Sequence, residues 1–345
     1  MPPRPPAPTA PTAPAPGHRP SRRGLLLAGA GAAAVGAAGV GVARARAGDD
    51  LADVRGRLRI ATGNPGAVFD RYGRALAAEV GRVMPAVTSA IVSTGGSFGN
   101  LLAVVDGRAE VAFSLGDSAQ QAIAGAAPGI AAVDLTALTR LYDSFLQVLV
   151  RADSDIGSLA ALAGRRVTAG EADSGTRVVA TRSLEASGVD VAAVDLVDLS
   201  LRDGVEGLAN GEVDALAFVS GFPIPALVEL GRRVPLRALD VGAAVPDLVD
   251  LWGPQYVVGP LPAGPYGLPA PVATVSVKTY LVALPSLAED LAHGFTSVVF
   301  DRQEALARAV PDVRQPTAAA GIFTQPVPLH PGSLRWFRER DRSAT

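Results

Sequence analysis

The sequence predicts an α/β protein with room for two lobes. After Asp50, short aliphatic strands alternate with amphipathic helical stretches, the beat of a doubly wound sheet. Hydrophobic residues make up 48% of the chain but aromatics only 5%, as expected of aliphatic sheets covered by helices. At 345 residues the chain is long enough for two such units.

The first element is a leader. Met1 to Pro20 is a Pro/Ala/Thr tract with no apolar periodicity, which cannot build a core. Ser21-Arg22-Arg23-Gly24 then precedes a Gly/Ala-rich apolar run to Val42, the twin-arginine export pattern. Ala45-Arg46-Ala47 supplies small residues for a signal peptidase, so residues 1–47 are expected to be removed before Gly48. The alternative is an uncleaved anchor over Leu25 to Val42, for which the Gly/Ala composition is a poor span. Six of the 31 basic residues and none of the 33 acids fall in 1–47, leaving 25 against 33, a net of −8. So acidic a domain argues against a nucleic-acid partner. There is no cysteine, hence no disulfide, thiol chemistry or lipidated signal Cys.

The strand and helix elements follow in order. Arg57 to Thr62 reads as a strand ending in Gly63-Asn64-Pro65-Gly66. Phe69, Tyr72, Leu76, Val80 and Val83 fall at helical spacing. Val87 to Ser93 is a second strand running into Thr94-Gly95-Gly96-Ser97, followed by a helix over Phe98 to Asp106 with Gly107 past its end. Val111 to Ser114 is a third strand, and Gly116-Asp117-Ser118 opens a helix through Ala124. Thr136 to Val150 is a long β-prone stretch suited to crossing between lobes. Ile156 to Ala163 reads as a short helix before a buried strand, and Ser174-Gly175-Thr176 starts a helix to Ala186. Leu208 to Asp214 and Ala215 to Ser220 repeat the helix–strand unit, and Gly221 to Pro225 turns into a helix over Ala226 to Gly231. Gly253 to Pro271 is dense in Pro and Gly and reads as a long loop. Leu281 to Val310 reads as helical. The expected divisions are a first lobe over 55–140, a second over 141–236, and a return to the first over 237–340.

Three turns carry one design: Thr62-Gly63-Asn64, Thr94-Gly95-Gly96-Ser97 and Ser174-Gly175-Thr176. Each follows a strand and precedes a helix, where open α/β sheets bind ligands. Glycine lets backbone amides approach a ligand, a hydroxyl adds a donor, and the helix start favours a carboxylate by roughly 0.3–1 kcal/mol. A capped helix is the alternative at each loop taken alone. Arg177 is a candidate bidentate partner for a carboxylate, or a solvated first-turn arginine. Phe69, Tyr142, Phe222 and Tyr266 are candidates for an apolar wall, with core packing as the alternative. Asp117 is a candidate for a ligand amine or a simple N-cap; Asp143 and Gln147 flank the crossing strand.

The catalytic patterns are missing. His18, His293 and His330 are far apart in sequence, and no zinc spacing, nucleophile elbow, Walker loop or dinucleotide fingerprint occurs. Neither a metal nor a cofactor is expected.

Taken together, the segments resemble the TAXI family, the immunogenic-protein-like solute receptors of TRAP transporters, from about Leu58 to Asp341. The resemblance rests on Ile60-Ala61-Thr62-Gly63 with Tyr72-Gly73, Thr94-Gly95-Gly96-Ser97 with Asn100-Leu101, and Asp117 through Gly125. It continues through Asp173 to Arg177, Asn210 to Ala215 and Gly221-Phe222-Pro223, and closes on Leu329 to Ser333 with Trp336-Phe337. It implies a type II periplasmic-binding-protein fold, two α/β lobes with a ligand cleft between them. Thr62, Gly63, Asn64, Phe69, Thr94, Gly95, Gly96, Ser97, Asn100, Asp117, Tyr142, Ser174, Gly175, Thr176, Arg177, Gly221 and Phe222 are the expected ligand contacts. It further implies an exported receptor that closes on an amino acid such as glutamate, or a dicarboxylate, and hands it to a TRAP membrane permease with fused small and large subunits. The first loop departs from the family's Gly-Gly-x-Tyr, carrying Gly66-Ala67-Val68-Phe69 and so losing a phenol hydroxyl. The competing expectations are a secreted small-molecule enzyme, which needs a base in the cleft, and a ligand-sensing domain on the same fold.

Overall fold

A computed structural model of the chain describes residues 51–311 and 313–344. The leader expected over 1–47 lies outside the described residues. Strand alternation decides how the layers form. In β1 (Gly56–Ala61), Leu58 and Ile60 enter one apolar cluster and Ala61 another on the opposite face. In β3 (Val111–Leu115), Val111 and Phe113 join the first cluster and Ala112 the second. Both faces are therefore covered, as the uninterrupted apolar run of a buried strand requires.

The sheet has ten strands. β2 (Val87–Val92) lies at one edge, parallel to β1, and β1 is parallel to β3. At the other edge, β5 (Arg166–Thr168) lies between β6 (Asp195–Val197) and β7 (Ala215–Ser220), parallel to both. The sheet passes between these halves through two long antiparallel strands, β4 (Thr136–Arg151) and β10 (Val272–Ala283). β10 pairs with β3 over Thr279–Val282, while β4 pairs with β7 over Phe145–Val150. Two short strands complete it: β8 (Leu236–Ala238) on β4 and β9 (Tyr256–Leu261) on β10.

Helices cover the faces. In α1 (Val68–Val83), Tyr72, Leu76 and Val80 are fully buried on the cluster that also holds Phe113 and Phe295, each large side chain contributing roughly 1.5–3 kcal/mol. On the opposite face of the first half lie α2 (Ser97–Val105) and α3 (Gly116–Ala124). The second half carries α4 (Gly175–Ala186) and α7 (Val245–Trp252) on one face, α5 (Leu201–Asn210) and α6 (Pro225–Arg233) on the other. The chain ends with α8 (Glu289–Asp301), α9 (Gln303–Ala309), α10 (Ala318–Gly321) and α11 (Pro331–Ala344). Trp336 of α11 stacks on Phe300 of α8 at 4.8 Å between ring centroids, which fastens the C-terminus to the first half.

Three expectations need correction. The segment 253–271 is not all loop, since it contains β9. Pro260 is tolerated there because β9 pairs on one side only, and Gly259 is required because a Cβ would come within 2.7 Å of the Phe145 ring. Leu281–Ala283 is not helical but the end of β10, and the helix begins at Glu289. The helix expected at Leu208 starts at Leu201, where the Ser200 hydroxyl caps it by accepting from the Asp203 amide.

Candidate functional site

The loops expected to bind ligand come together where the two halves of the sheet meet. Thr62, Gly63, Asn64, Phe69, Gly95, Gly96, Ser97, Ser174, Gly175 and Thr176 all line one cavity, joined by Ala67, Leu115 and the end of β7, Phe218 to Ser220. Ser174 caps α4, its hydroxyl accepting from the Arg177 amide at 3.2 Å. That leaves the Gly175 and Thr176 amides at a helix start, where no carbonyl of the same helix can reach them. From the first half comes the start of α2, whose first amide belongs to Ser97.

The hydroxyls are set by their acceptor bonds. Ser97 Oγ accepts from the Leu115 amide at 3.2 Å, and Thr176 Oγ1 accepts from the Val219 amide at 3.0 Å. Each hydroxyl proton is then free to point elsewhere. Thr62 is fully buried, and its Oγ1 has no hydrogen-bond partner. A buried hydroxyl left without a partner typically costs about 1–3 kcal/mol, so this one marks a place for a polar guest.

The two halves are shut on one another. The Asp173 carbonyl accepts from the Phe98 and Gly99 amides, both at 3.1 Å, so the start of α2 is partly filled by the other half of the protein. Asn64 spans the gap twice, its Nδ2 donating to Glu171 and its Oδ1 accepting from the Leu201 amide, while Nδ2 also donates to the Gly95 carbonyl of its own half, all at 2.8 Å. Gly96 makes the contact possible. Its φ is +151°, and a Cβ there would lie 2.9 Å from both Cα and Cβ of Ser174. In this form the cavity volume is about 30 Å³, room for roughly two water molecules.

Other expected residues stand nearby with different partners. Thr94 Oγ1 donates to Asn100 Oδ1 at 2.7 Å and accepts from the Gly96 amide at 3.1 Å, while Asn100 Nδ2 donates to the Phe113 carbonyl. These two brace the loop and do not line the cavity. Arg177 turns away, bonded to Asp198 and the Gly170 carbonyl. Asp117 is buried where the halves meet, accepting from Tyr256 Oη at 2.8 Å and from the Ser118 amide at 2.7 Å. Arg182 donates to the same phenol and lies over the Trp252 ring. Burial raises the Asp117 carboxyl above its ordinary value, against the opposing pull of Tyr256, Arg182 and Ser118. Tyr142, Gly221 and Phe222 line a second cavity, beside Asp143. Tyr266 is core, its hydroxyl donating to Gln147 at 2.6 Å and accepting from the Ile224 amide.

Phe69 forms part of the cavity wall and stacks on Phe113 at 5.1 Å, an apolar contact that a phenol hydroxyl would not improve. The sequence reading missed Phe218 and Ser220. Their signal is the small polar residue followed by glycine at Ser220-Gly221, which repeats Thr62-Gly63 just past β1.

Not one lining residue of the first cavity carries a titratable side chain. General acid–base catalysis has no group to act through there, whereas amides and hydroxyls are suited to holding an anion. Among the described residues, no group of three or more His, Asp or Glu can hold a metal ion. Among the same residues, no helix is long and apolar enough to cross a membrane.

Known proteins resemble the chain over nearly its whole described length. A family model described as the NMT1-like family matches residues 60–340. Among solved structures, the MatC protein of Rhodopseudomonas palustris with bound malate aligns at 16% identity, over 84% of this chain and 97% of that one, with a TM-score of 0.51. A structure described as a periplasmic transporter aligns at 13% identity over the same shares, also at 0.51. A TctC solute binding protein from Polaromonas aligns at 15%, over 84% of this chain and 99% of that one, at 0.48. At these identities the likeness establishes the fold: a curled α/β sheet with flanking helices, the type II periplasmic-binding-protein architecture.

Proposed function

The chain belongs to the NMT1-like family, and from that premise we propose that it is an exported solute receptor for a small carboxylate, either an amino acid such as glutamate or a dicarboxylate. The observation that carries the reading is the orphaned Thr62 hydroxyl. It is buried in a cavity that two helix starts share and that holds no charged side chain. A carboxylate there would accept from Thr62, from the Ser97 and Thr176 hydroxyls, from the Ser97 amide of α2, and from the Gly175 and Thr176 amides of α4. Malate, the ligand of the MatC structure, is a dicarboxylate and belongs to the same chemical class.

Two lobes, the halves of the sheet on either side of the crossing strands, would open by bending β4 and β10. Opening pulls the Asp173 carbonyl from the start of α2, and reclosure over a ligand restores the contact. The closed form would present one continuous face to a TRAP permease with fused subunits. The twin-arginine leader would take the chain across the cytoplasmic membrane, to the periplasm or cell surface.

Isothermal titration of the purified chain with glutamate, malate and succinate tests the reading. Binding of at least one with micromolar or better affinity is expected. If all three fail to bind while the protein stays folded, the ligand class is wrong.

A further inference from the structure

The two cavities differ about tenfold in size, and the larger one has no role in the reading above. The cavity lined by Tyr142 and Phe222 has a volume of about 340 Å³, against about 30 Å³ between the helix starts. That places it at the lower end of small-molecule sites, roughly 300–1,000 Å³. We propose that it is a second ligand chamber, built for an organic monoanion with an apolar, ring-sized body.

The walls supply the apolar part. Tyr142 and Phe145 come from β4, and Phe222 follows β7. Phe222 is held edge-on against Tyr266, with 5.0 Å between ring centroids, and Tyr142 against Tyr72 at 5.9 Å. Aromatic walls in fixed edge-to-face contact favour another ring.

The facing wall, the segment before α10, is anchored as well. Tyr72 Oη donates to Gln315 Oε1 at 2.7 Å, Gln315 Nε2 donates to the Val313 carbonyl at 3.1 Å, and Gln303 donates to the Pro316 carbonyl. Tyr72 is fully buried, so this wall is tied to the core, and the chamber is formed before anything enters it.

Charge selects the head group. Arg140 and Asp143 form an ion pair at 2.7 Å, which leaves Asp143 engaged and the pair neutral. Arg314 is exposed and makes no ion pair among the described residues. The lining thus offers one uncommitted positive charge and no uncommitted negative one. A single carboxylate satisfies it, an amine has no partner, and the second charge of a dicarboxylate would go unpaired.

The chamber stands on residues distinct from those of the first cavity, so either assignment can fail alone. The test is titration of the full chain with phenylacetate, using phenethylamine and benzyl alcohol as cationic and neutral controls of similar shape. Phenylacetate is expected to bind one to one, with both controls at least tenfold weaker. Arg314→Gln should weaken phenylacetate about tenfold or more with an unchanged Tm, because the side chain is exposed. Phe222→Ala should weaken it as well, while Thr62→Ala leaves it within twofold. The proposal is overturned if phenylacetate does not bind, or if the controls bind equally well. It is overturned too if Thr62→Ala and not Arg314→Gln abolishes binding, since the anion then sits between the helix starts.

Discussion

Replacing Gly96 by alanine separates closure from folding. The new Cβ would lie 2.9 Å from Cα and Cβ of Ser174, about 0.6–1 Å inside an ordinary carbon–carbon contact. One of those atoms is backbone, so no rotamer change relieves the overlap, and overpacking of this kind costs roughly 1–3 kcal/mol. The backbone adds to it: φ of +151° with ψ of −149° is a conformation that only glycine adopts readily, and alanine there costs on the order of 1–3 kcal/mol. The clash falls on the shut form alone, because Ser174 belongs to the second half of the sheet and Gly96 to the first. The backbone penalty is local to the loop and falls on open and shut forms alike. If the ligand binds by closing the halves, the affinity loss should be about tenfold to a hundredfold, at roughly 1.4 kcal/mol per tenfold. Gly175→Ala is the comparison. Its Cβ would meet the side chains of Leu115 and Ser97 at 2.8 Å, and its φ is not positive, so side-chain shifts absorb more of the strain. Calorimetric titration with the carboxylate that binds best gives the affinities, and small-angle scattering gives the compactness. Gly96→Ala should bind more weakly and scatter as a more open particle at saturating wild-type concentrations. Unchanged affinity with unchanged compactness would refute the reasoning.

Three further perturbations follow from the same geometry. Thr62→Val keeps the shape and removes the orphaned hydroxyl; a hydrogen bond to a charged group contributes about 1.5–3 kcal/mol, so carboxylate affinity should fall at least tenfold while Tm holds or rises. His330 is buried, its Nδ1 accepting from the Gly332 amide, and burial holds its pKa below the ordinary 6.5. Its contribution to stability is complete above pH 6.5 and is lost as pH falls through the lowered value, so His330→Gln should flatten the acid-side decline in Tm measured by scanning calorimetry. Asp117 has the opposite sign. Its folded pKa is raised above the ordinary 3.8, so its contribution is complete below that pH and is lost as pH rises through the folded value. The Tm difference between Asp117→Asn and wild type should therefore shift in favour of the variant as pH rises from 3.5 to 7; a difference independent of pH would contradict the burial argument.

How far the sequence reveals this structure depends on how local each signal is. β4 reads plainly, because sixteen residues of β-prone sequence are uninterrupted by a turn. Its partner β10 is not legible locally: the helical reading of 281–310 takes in its apolar end, and only pairing with β3, β4 and β9 settles its identity. β9 is hidden by Pro260 and Gly259, whose presence makes sense only at an edge and against Phe145. The three small-residue loops are legible since each is a local strand–turn–helix pattern. The partners of their neighbours are not. Nothing near Arg177 reveals that it turns to Asp198, or near Asp117 that Tyr256 and Arg182 claim it. Asn64 illustrates the limit best, a loop residue fit for a ligand by type, yet engaged by Gly95, Glu171 and Leu201 from both halves.

The most direct test of the carboxylate-receptor account is a structure of the chain with its tightest-binding dicarboxylate or amino acid. The account predicts a carboxylate oxygen within hydrogen-bonding distance of Thr62 Oγ1 and of a first-turn amide of α4, with the cavity enlarged around it. A carboxylate bound elsewhere, with Thr62 Oγ1 still buried and alone, would contradict it.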